Sequence, residues 1–198
     1  MIDPGMSAAA KDELRRRLLL RRRTRPATER AAAAEAVTAA LLAGLRGVGT
    51  LAAFVPDAEE PGSGRLPDGY AELGAQVLLP VIPERGRVLD WALSTGELET
   101  GRFGLSQPSG PRLGPTALAA AEAVVVPALA VDRSGIRLGR GGGYYDRALL
   151  HARPDAVLVT VVFDDERVDE LPSEPHDRPV TAVVTPSGGW QELAARTG

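Results

Sequence analysis

A glycine-rich segment near residue 140 carries the densest set of groups that could bind an anion. It reads RLGRGGGYYDR over 137–147, with glycines at 139, 141, 142 and 143. Glycine lets the backbone take positive φ and approach a ligand closely, and a helix that starts after the glycines offers free N–H groups. Flanking arginines add contacts for phosphate oxygens. The segment therefore predicts a phosphate-binding loop, although glycines alone are equally typical of a flexible turn.

The residues that directly follow these glycines favour the ligand-binding interpretation. Tyr144 and Tyr145 are two of only three tyrosines in the chain, and their rings offer a flat stacking surface. The carboxylate of Asp146 suits a hard cation such as Mg²⁺. The segment lacks the Gly-Lys-Ser/Thr of the Walker sequence, and its glycines are not spaced as in a dinucleotide fingerprint. It therefore indicates an anion site of another kind.

A lysine and an arginine near the N-terminus are candidates for a second phosphate contact. Lys11 is the only lysine among 23 basic residues, and lysine and arginine are not interchangeable at a phosphate. Lys11 and Arg15 are four residues apart, which puts both on one face of a helix. The alternative is a surface lysine near a frayed terminus. The chain uses arginine in place of lysine almost throughout, a bias that is typical of genome composition. The arginine runs at 15–17 and 21–23 are therefore predicted to form solvated helix faces.

Two further loops carry candidate ligand groups. PSEPHDRP at 172–179 contains His176 and Asp177, a pair that can orient a ligand or a metal but is more often simply exposed. FVPDAEE at 54–60 follows the first predicted strand, and ligands bind beyond the carboxyl ends of strands in an open α/β sheet. Neither histidine belongs to a Ser-His-Asp arrangement and no nucleophile elbow is present, so covalent catalysis is not indicated.

Composition excludes several classes of protein. The 198 residues suit one domain, taken here as 1–198 with 1–6 a candidate leader. The absence of cysteine excludes disulfides, thiolate catalysis and thiolate metal sites. A net charge of -3 argues against a protein that is basic all over and holds nucleic acid by counterion release. No apolar stretch is long enough to span a membrane. We expect a cytoplasmic monomer that binds neither nucleic acid nor membrane.

The elements that must position these groups alternate between helices and short apolar runs. Ser7 is a plausible N-cap for an amphipathic helix over 8–23, and Pro26 suits the start of a second helix ending near residue 42. Strands are predicted at 50–55, 76–82, 88–93, 123–131, 156–163 and 181–185, and further helices at 115–122 and 144–152. The segment 94–115 is rich in Gly, Pro and Ser and is predicted to be a loop. Continuously apolar strands indicate a mostly parallel sheet covered on both faces.

Taken in order, these segments resemble the 5-formyltetrahydrofolate cyclo-ligase family, whose members are also called methenyltetrahydrofolate synthetases. The resemblance covers nearly the whole chain, and the glycine-tyrosine-aspartate block is its most specific part. The matching segments are K-x-x-x-R at 11–15, FVPDAEE at 54–60, LPV at 79–81, GRFGLSQP at 101–108, VPALAVD at 126–132, RLGRGGGYYD at 137–146 and HD at 176–177.

The resemblance implies an α/β fold with three layers, similar to the ribose-5-phosphate isomerase and coenzyme A transferase group, with an N-terminal two-helix arm. It also implies conversion of 5-formyltetrahydrofolate to 5,10-methenyltetrahydrofolate with ATP and Mg²⁺. In the family mechanism the formyl oxygen attacks the γ-phosphate of ATP, N10 of the folate adds to the activated carbon, and phosphate leaves. Such a reaction depends on positioning and charge neutralisation more than on a nucleophilic side chain.

Site residues follow from the same resemblance. ATP would contact Lys11, Arg15 and the segment Arg137, Leu138, Gly139, Arg140, Gly141, Gly142, Gly143, Tyr144 and Tyr145. The catalytic residues would be Arg140 and Tyr145. The reduced folate would contact Val55, Glu60, Phe103 and Tyr145, and Mg²⁺ would be held by Asp146 and Asp177.

Two other functions fit parts of the sequence. A relative on the same fold could act on a sugar phosphate, and its chemistry would need no ATP. Alternatively, the arginine-rich first helix and the glycine loop could grip RNA, which salt-dependent binding to oligonucleotides would reveal. The acidic total charge and the aromatic content of only 4% count against RNA binding, because few rings are present to stack on bases.

Overall fold

The computed structural model describes residues 8–173 and 177–193. The expected N-cap Ser7, the candidate leader at 1–6 and His176 lie outside these residues. Two helices open the described chain, α1 (Ala8–Thr24) and α2 (Ala27–Gly44). Pro26 stands between them with φ -55°, a backbone angle that proline favours and that suits a helix start. The two predicted N-terminal helices are therefore confirmed.

A seven-stranded, mostly parallel sheet forms the centre of the described molecule. The strands of the chain are β1 (Thr50–Ala52), β2 (Gln76–Val81), β3 (Asp90–Leu93), β4 (Leu98–Thr100), β5 (Ser106–Pro108), β6 (Ala123–Pro127), β7 (Ala130–Val131), β8 (Arg137–Leu138), β9 (Val157–Val161), β10 (Ala182–Thr185) and β11 (Gly189–Glu192). The sheet order is β11-β10-β9-β6-β1-β2-β3, and only the edge strands β3 and β11 run antiparallel to their neighbours. This confirms the predicted α/β class.

The central strands are buried on both faces, as their sequences require. In β6 every residue from Ala123 to Val126 is fully buried. Side chains alternate across a strand, so Val124 and Val126 face one apolar cluster while Ala123 and Val125 face another. Continuous runs of small and β-branched residues are what such a position favours.

Helical segments cover both faces and make three layers. On one face α2 packs Val37 and Leu41 into the cluster that contains Leu79 and Val125. On the other face lie α3 (Tyr144–Ala148) and 3-10 turns at Pro115–Ala120 and Leu149–His151. Fully burying one large aliphatic side chain contributes about 1.5–3 kcal/mol. Across the described ranges, no helix combines the length and apolarity that a membrane crossing needs.

Helix α1 packs on the β7–β8 hairpin. Its Leu14 and Leu18 join a separate apolar cluster with Ile136, Leu138 and Leu171. Since β8 leads directly into the glycine-rich segment, this packing brings the N-terminal helix beside the predicted phosphate loop.

The turn of the β7–β8 hairpin is held by a buried aspartate. Asp132 accepts hydrogen bonds from the backbone N–H groups of Ser134 at 2.8 Å, Ile136 at 3.0 Å and Leu171 at 3.0 Å. Gly135 in this turn has φ +85°, and a Cβ there would lie 2.2 Å from the carbonyl oxygen of Val180. The turn is therefore fixed against both neighbouring segments, which gives the glycine-rich segment a rigid start.

Several predicted elements differ from the structure. The predicted strand at 123–131 is two strands, because β6 ends at Pro127, which has no N–H to continue a ladder. The predicted loop at 94–115 contains the β4–β5 hairpin and a 3-10 turn at Arg102–Gly104. Of the helix predicted at 115–122, the structure has a 3-10 turn, and the helix predicted at 144–152 is α only as far as Ala148. The edge strand β11 was not predicted.

Candidate active site

One cavity lies beyond the carboxyl ends of the parallel strands, with a volume of about 630 Å³. Residues just after β1, β2 and β6 line it, where an open α/β sheet is expected to bind ligands. All residues predicted for the site reach it: Lys11, Arg15, Val55, Glu60, Phe103, Arg137, Leu138, Gly139, Arg140, Gly141, Gly142, Gly143, Tyr144, Tyr145, Asp146 and Asp177. The structure thus brings together groups from five parts of the chain. Their individual roles stay predictions.

The glycine-rich segment passes close to the first helix. The guanidinium Nε of Arg15 donates to the carbonyl oxygen of Gly139 at 2.9 Å. Gly141 has φ +90° and approaches the same guanidinium, since a Cβ there would lie 3.6 Å from its Cζ. Glycine is required here because L side chains rarely adopt that backbone angle. The segment therefore curves around the arginine, with Lys11 one helical turn away on the same face.

A second arginine of this segment is paired inside the site. The side chain of Arg137 is only 5% exposed. Its Nη2 donates to Asp146 Oδ1 at 2.6 Å and its Nη1 to the carbonyl oxygen of Arg178 at 3.3 Å. Burial lowers the pKa of Arg137, while the carboxylates of Asp146 and Asp177 oppose that change. Arg137, which is predicted to bind phosphate, and Asp146, which is predicted to bind a metal ion, thus form an ion pair with each other.

Glu60 is the most buried carboxylate of the cavity, with 8% of its surface exposed. Its Oε2 accepts the backbone N–H of Asp57 at 3.0 Å, and its Oε1 lies 3.3 Å from Nη2 of Arg140. The same Arg140 nitrogen also pairs with Asp57 Oδ2. Burial raises the pKa of Glu60, and the neighbouring Asp57 carboxylate raises it further. Two influences on Glu60 therefore oppose each other: burial favours the protonated carboxyl group, and pairing with Arg140 favours the charged carboxylate.

Tyr145 lines the cavity and carries a buried hydroxyl group. Its hydroxyl is buried, and no residue within the described chain hydrogen-bonds it. Burial raises its pKa well above the usual range, so the phenol is neutral at physiological pH. A neutral hydroxyl can both donate and accept. A bound ligand that offers one polar atom here would remove an unfavourable buried group.

Phe103 stands at the tip of the β4–β5 hairpin in a left-handed conformation, with φ 62° and ψ 16°. Its ring is 67% exposed and lies under the Arg102 guanidinium, 4.7 Å from the ring centroid. Arg102 in turn donates from Nη1 to the carbonyl oxygen of Pro83 at 3.0 Å. The aromatic ring is therefore presented at the mouth of the cavity by a specific backbone turn.

The residues predicted to hold a metal ion are two of the four carboxylates that line the cavity among the described residues. Asp146 and Asp177 both line the cavity. Within residues 8–173 and 177–193, no cluster of three or more His, Cys, Asp or Glu side chains is arranged to hold a metal. Mg²⁺ is commonly held by one or two carboxylates and completes its octahedron with water and substrate phosphates. The donor set therefore fits Mg²⁺ that arrives with a nucleotide.

Sequence reasoning missed Arg22, for which a solvated helix face was predicted. That prediction was wrong, because Arg22 is fully buried. It follows Leu14 and Leu18 at the same four-residue spacing, so it lies on the buried stripe of α1. Its partner is Glu166, 144 residues further along the chain and also buried. The four-residue spacing from Leu14 and Leu18 could have indicated that Arg22 is buried. Nothing in the local sequence indicates that Glu166 is its partner.

The family of the chain is decided by comparison with known sequences. A family model described as "5-formyltetrahydrofolate cyclo-ligase family" matches residues 7–186. The chain belongs to this family. A 5-formyltetrahydrofolate cyclo-ligase from Mycolicibacterium smegmatis is 46% identical over 190 residues, which are 93% of this chain and 97% of the relative. Another from Escherichia coli is 41% identical over 71 residues, 35% of this chain and 39% of the relative.

Solved structures agree with the cyclo-ligase family in fold. The Aquifex aeolicus 5,10-methenyltetrahydrofolate synthetase, solved by NMR, superimposes with a TM-score of 0.76 at 28% identity, covering 95% of this chain and 94% of that one. The Mycoplasma pneumoniae 5,10-methenyltetrahydrofolate synthetase superimposes with a TM-score of 0.69 at 17% identity, covering 87% and 96%, and shows the fold alone. The predicted resemblance is confirmed, and neither the sugar-phosphate nor the RNA alternative is supported.

Proposed function

We propose that the protein converts 5-formyltetrahydrofolate to 5,10-methenyltetrahydrofolate, with ATP hydrolysed to ADP and phosphate. The formyl oxygen attacks the γ-phosphorus, which breaks the bond to the β-phosphate oxygen and releases ADP. N10 then adds to the activated carbon and closes the ring, after which the phosphorylated oxygen leaves as phosphate and the proton of N10 leaves with it or passes to solvent. The observation that carries the proposal is that every segment of this chain that matches the family contributes at least one residue to the same cavity.

The cationic side of the cavity is proposed to bind the triphosphate. Lys11 and Arg15 enter it from α1, and Arg137 and Arg140 enter it from the glycine-rich segment. In phosphoryl transfer the protein contributes positioning and charge neutralisation, and these four side chains provide both. Arg140 is proposed as the catalytic cation, since it lines the cavity and its side chain is 45% exposed. Backbone N–H groups of the glycines would contact the same phosphates.

The part of the cavity next to the cationic groups, which meets them at the contact of Glu60 with Arg140, is proposed to bind the reduced folate. The Glu60 carboxylate can accept hydrogen bonds from ring N–H groups of the pterin, and Val55 provides an apolar wall beside it. Phe103 would stack against a flat ring at the mouth. The buried Tyr145 hydroxyl would supply a hydrogen bond near the formyl group. These contacts would orient the formyl oxygen toward the phosphates.

Asp146 and Asp177 are proposed to hold Mg²⁺. When bound with ATP, the cation would neutralise charge on the phosphate oxygens. The role of this chain is to offer the two carboxylates on the phosphate side of the cavity, where Arg137 already holds Asp146 in place.

We also propose that residues 1–198 form one domain that works as a monomer in the cytoplasm and binds no nucleic acid. The net charge of -3 and the absence of cysteine support this setting. Size-exclusion chromatography with light scattering, and oligonucleotide binding at low salt, would test the oligomeric state and the nucleic-acid prediction.

The deciding experiment mixes the purified protein with 5-formyltetrahydrofolate and Mg-ATP and follows the methenyl product by its absorbance. Reactions without ATP and without Mg²⁺ serve as controls. Product that forms only in the complete mixture is expected. A folded protein that binds ATP and forms no product would refute the proposed reaction, and product without ATP would refute its mechanism.

A further inference from the structure

Glu60 lies between two arginines of different character. Arg140 is 45% exposed and its Nη2 lies 3.3 Å from Glu60 Oε1. Arg22 has no exposed surface, and its Nη1 lies 3.9 Å from the same oxygen on the other side. The guanidinium of Arg140 can therefore move into the cavity, whereas the guanidinium of Arg22 is enclosed by protein.

The guanidinium of Arg22 is fixed on all sides but one. Its Nε and Nη2 donate to the two carboxylate oxygens of Glu166 at 2.6 Å and 2.7 Å, and Nη2 also donates to the Ala128 carbonyl at 2.7 Å. Glu166 is itself held by the backbone N–H of Phe163 at 2.9 Å. Such a bidentate pair fixes both position and orientation.

The remaining nitrogen of Arg22 is the one that faces Glu60. Nη1 is buried and has no hydrogen-bond partner within the described chain. A buried N–H without an acceptor is unfavourable, more so on a charged group. The nearest carboxylate oxygen to it recorded in the structure is Glu60 Oε1, so a small movement of Glu60 away from Arg140 would give both groups a hydrogen bond.

Binding of an anionic co-substrate would produce that movement. Arg140 lines the cavity with 45% of its side chain exposed, so phosphate oxygens would compete for it with Asp57 and Glu60. Once Arg140 turns to the phosphates, Glu60 loses its nearer counter-charge while Asp57 continues to repel it. Arg22 then provides the one buried cation still facing the carboxylate.

We propose that Arg22 is a positioning residue, which receives the Glu60 carboxylate when Arg140 turns to the phosphates and so holds Glu60 in place for the folate. This inference rests on the proposed function, since it assigns the phosphates to ATP and the Glu60 partner to a reduced folate. It gives the buried pair of Arg22 and Glu166 a role beyond joining α1 to the sheet. Arg22 acts through Glu60 and does not touch substrate.

The test is a double-mutant cycle on folate binding. Arg22→Lys retains a cation that can pair with Glu166 but removes the branch that points at Glu60. We expect the dissociation constant of 5-formyltetrahydrofolate, measured by calorimetry with a non-hydrolysable ATP analogue present, to rise roughly tenfold, as for loss of a charged hydrogen bond. In a Glu60→Gln background the same substitution should have little further effect.

Two controls separate positioning from folding. Arg16→Lys alters an exposed arginine on the same helix, paired with Glu13, and should leave folate binding unchanged. Glu166→Asp keeps the ion pair but draws the guanidinium away from Glu60 by one methylene, so it should also weaken folate binding in a Glu60-dependent way. If Arg22→Lys fails to fold, Glu166→Asp decides the question.

The outcomes also separate this inference from the proposed function. Equal loss of folate affinity with Glu60 and with Gln at that position would show a purely structural role and overturn the inference, as would no loss at all. The wild-type protein forming no methenyl product from Mg-ATP and 5-formyltetrahydrofolate would instead refute the proposed function. Steady-state kinetics should agree with calorimetry, with the folate KM raised and kcat changed less than the KM.

Discussion

Asp57→Asn should tighten the binding of ATP, although it changes a residue that faces the site. In the free protein Asp57 Oδ2 pairs with Arg140, while Oδ1 accepts the backbone N–H of Glu59 at 2.9 Å. Asparagine keeps an oxygen for the Glu59 N–H and turns an NH₂ group toward the guanidinium. The loop is therefore preserved while Arg140 loses its strongest partner and becomes available to phosphate.

The size of the effect follows from the exposure of that ion pair. The side chains of Arg140 and Asp57 are 45% and 22% exposed, and ion pairs this open to water contribute about 0.2–1 kcal/mol. ATP binding must break this interaction in the wild type and not in the variant. The dissociation constant of ATP should therefore fall about 1.4-fold to 5-fold.

Isothermal titration of ATP into both proteins, with Mg²⁺ present, measures this difference. Glu59→Gln is the matched control, because it makes the same change in net charge at a carboxylate that faces Arg23 at 3.3 Å. The gain in affinity should shrink as salt is raised, since the pair is partly exposed. Unchanged or weaker binding by Asp57→Asn, or an equal gain in the control, would refute the competition between Asp57 and phosphate for Arg140.

Three further outcomes test the site. Asp146→Ala should abolish Mg²⁺-dependent turnover and lower the urea midpoint, because it leaves the guanidinium of Arg137, only 5% exposed, without its 2.6 Å carboxylate partner; turnover measured against Mg²⁺ concentration and urea unfolding of the same variant check this. Lys11→Ala should raise the KM for ATP about tenfold by removing a charged contact, and an unchanged KM would place Lys11 outside the site. Glu60→Gln should raise the Tm relative to wild type, increasingly so above about pH 4.5, because burial holds the pKa of Glu60 above that value and the wild type loses stability as pH rises through it. A Tm difference that does not vary with pH would contradict this.

The sequence predicted which residues line the cavity because its most informative part is local, while the roles of these residues stay predictions. Gly141 and Gly143 have positive φ, and Gly141 also approaches Arg15 closely, so one run of consecutive residues carries both requirements. The order of the other segments then placed Glu60, Phe103 and Asp146 at the same cavity. The parallel sheet was equally predictable, because strands such as β6 must be apolar on both faces.

The remaining features depend on contacts between distant residues. Arg22 is one of three consecutive arginines, and only the packing of α1 decides which of them is buried. Trp190 on β11 lies directly against Gly44, where a Cβ would come within 2.2 Å of its ring, and neither residue indicates the other in sequence. Strand β4 is short and exposed along its whole length, so it has no buried face to produce an alternating pattern.

The long-range pairing of Arg22 with Glu166 has a consequence for synthesis of the chain. The first helix leaves the ribosome before the strands that cover it, since domains are made from the N-terminus onward. Leu14 and Leu18 can pack against Leu138 and Leu171 only after those residues have been synthesised. Arg22 can pair with Glu166 only after a further 144 residues have been added. A nascent or truncated chain that stops short of residue 166 therefore has Arg22 without its carboxylate partner, and it lacks Leu171, which packs against α1 and lines the cavity. A ligand of the cavity can stabilise such a chain only through the contacts that the earlier segments provide.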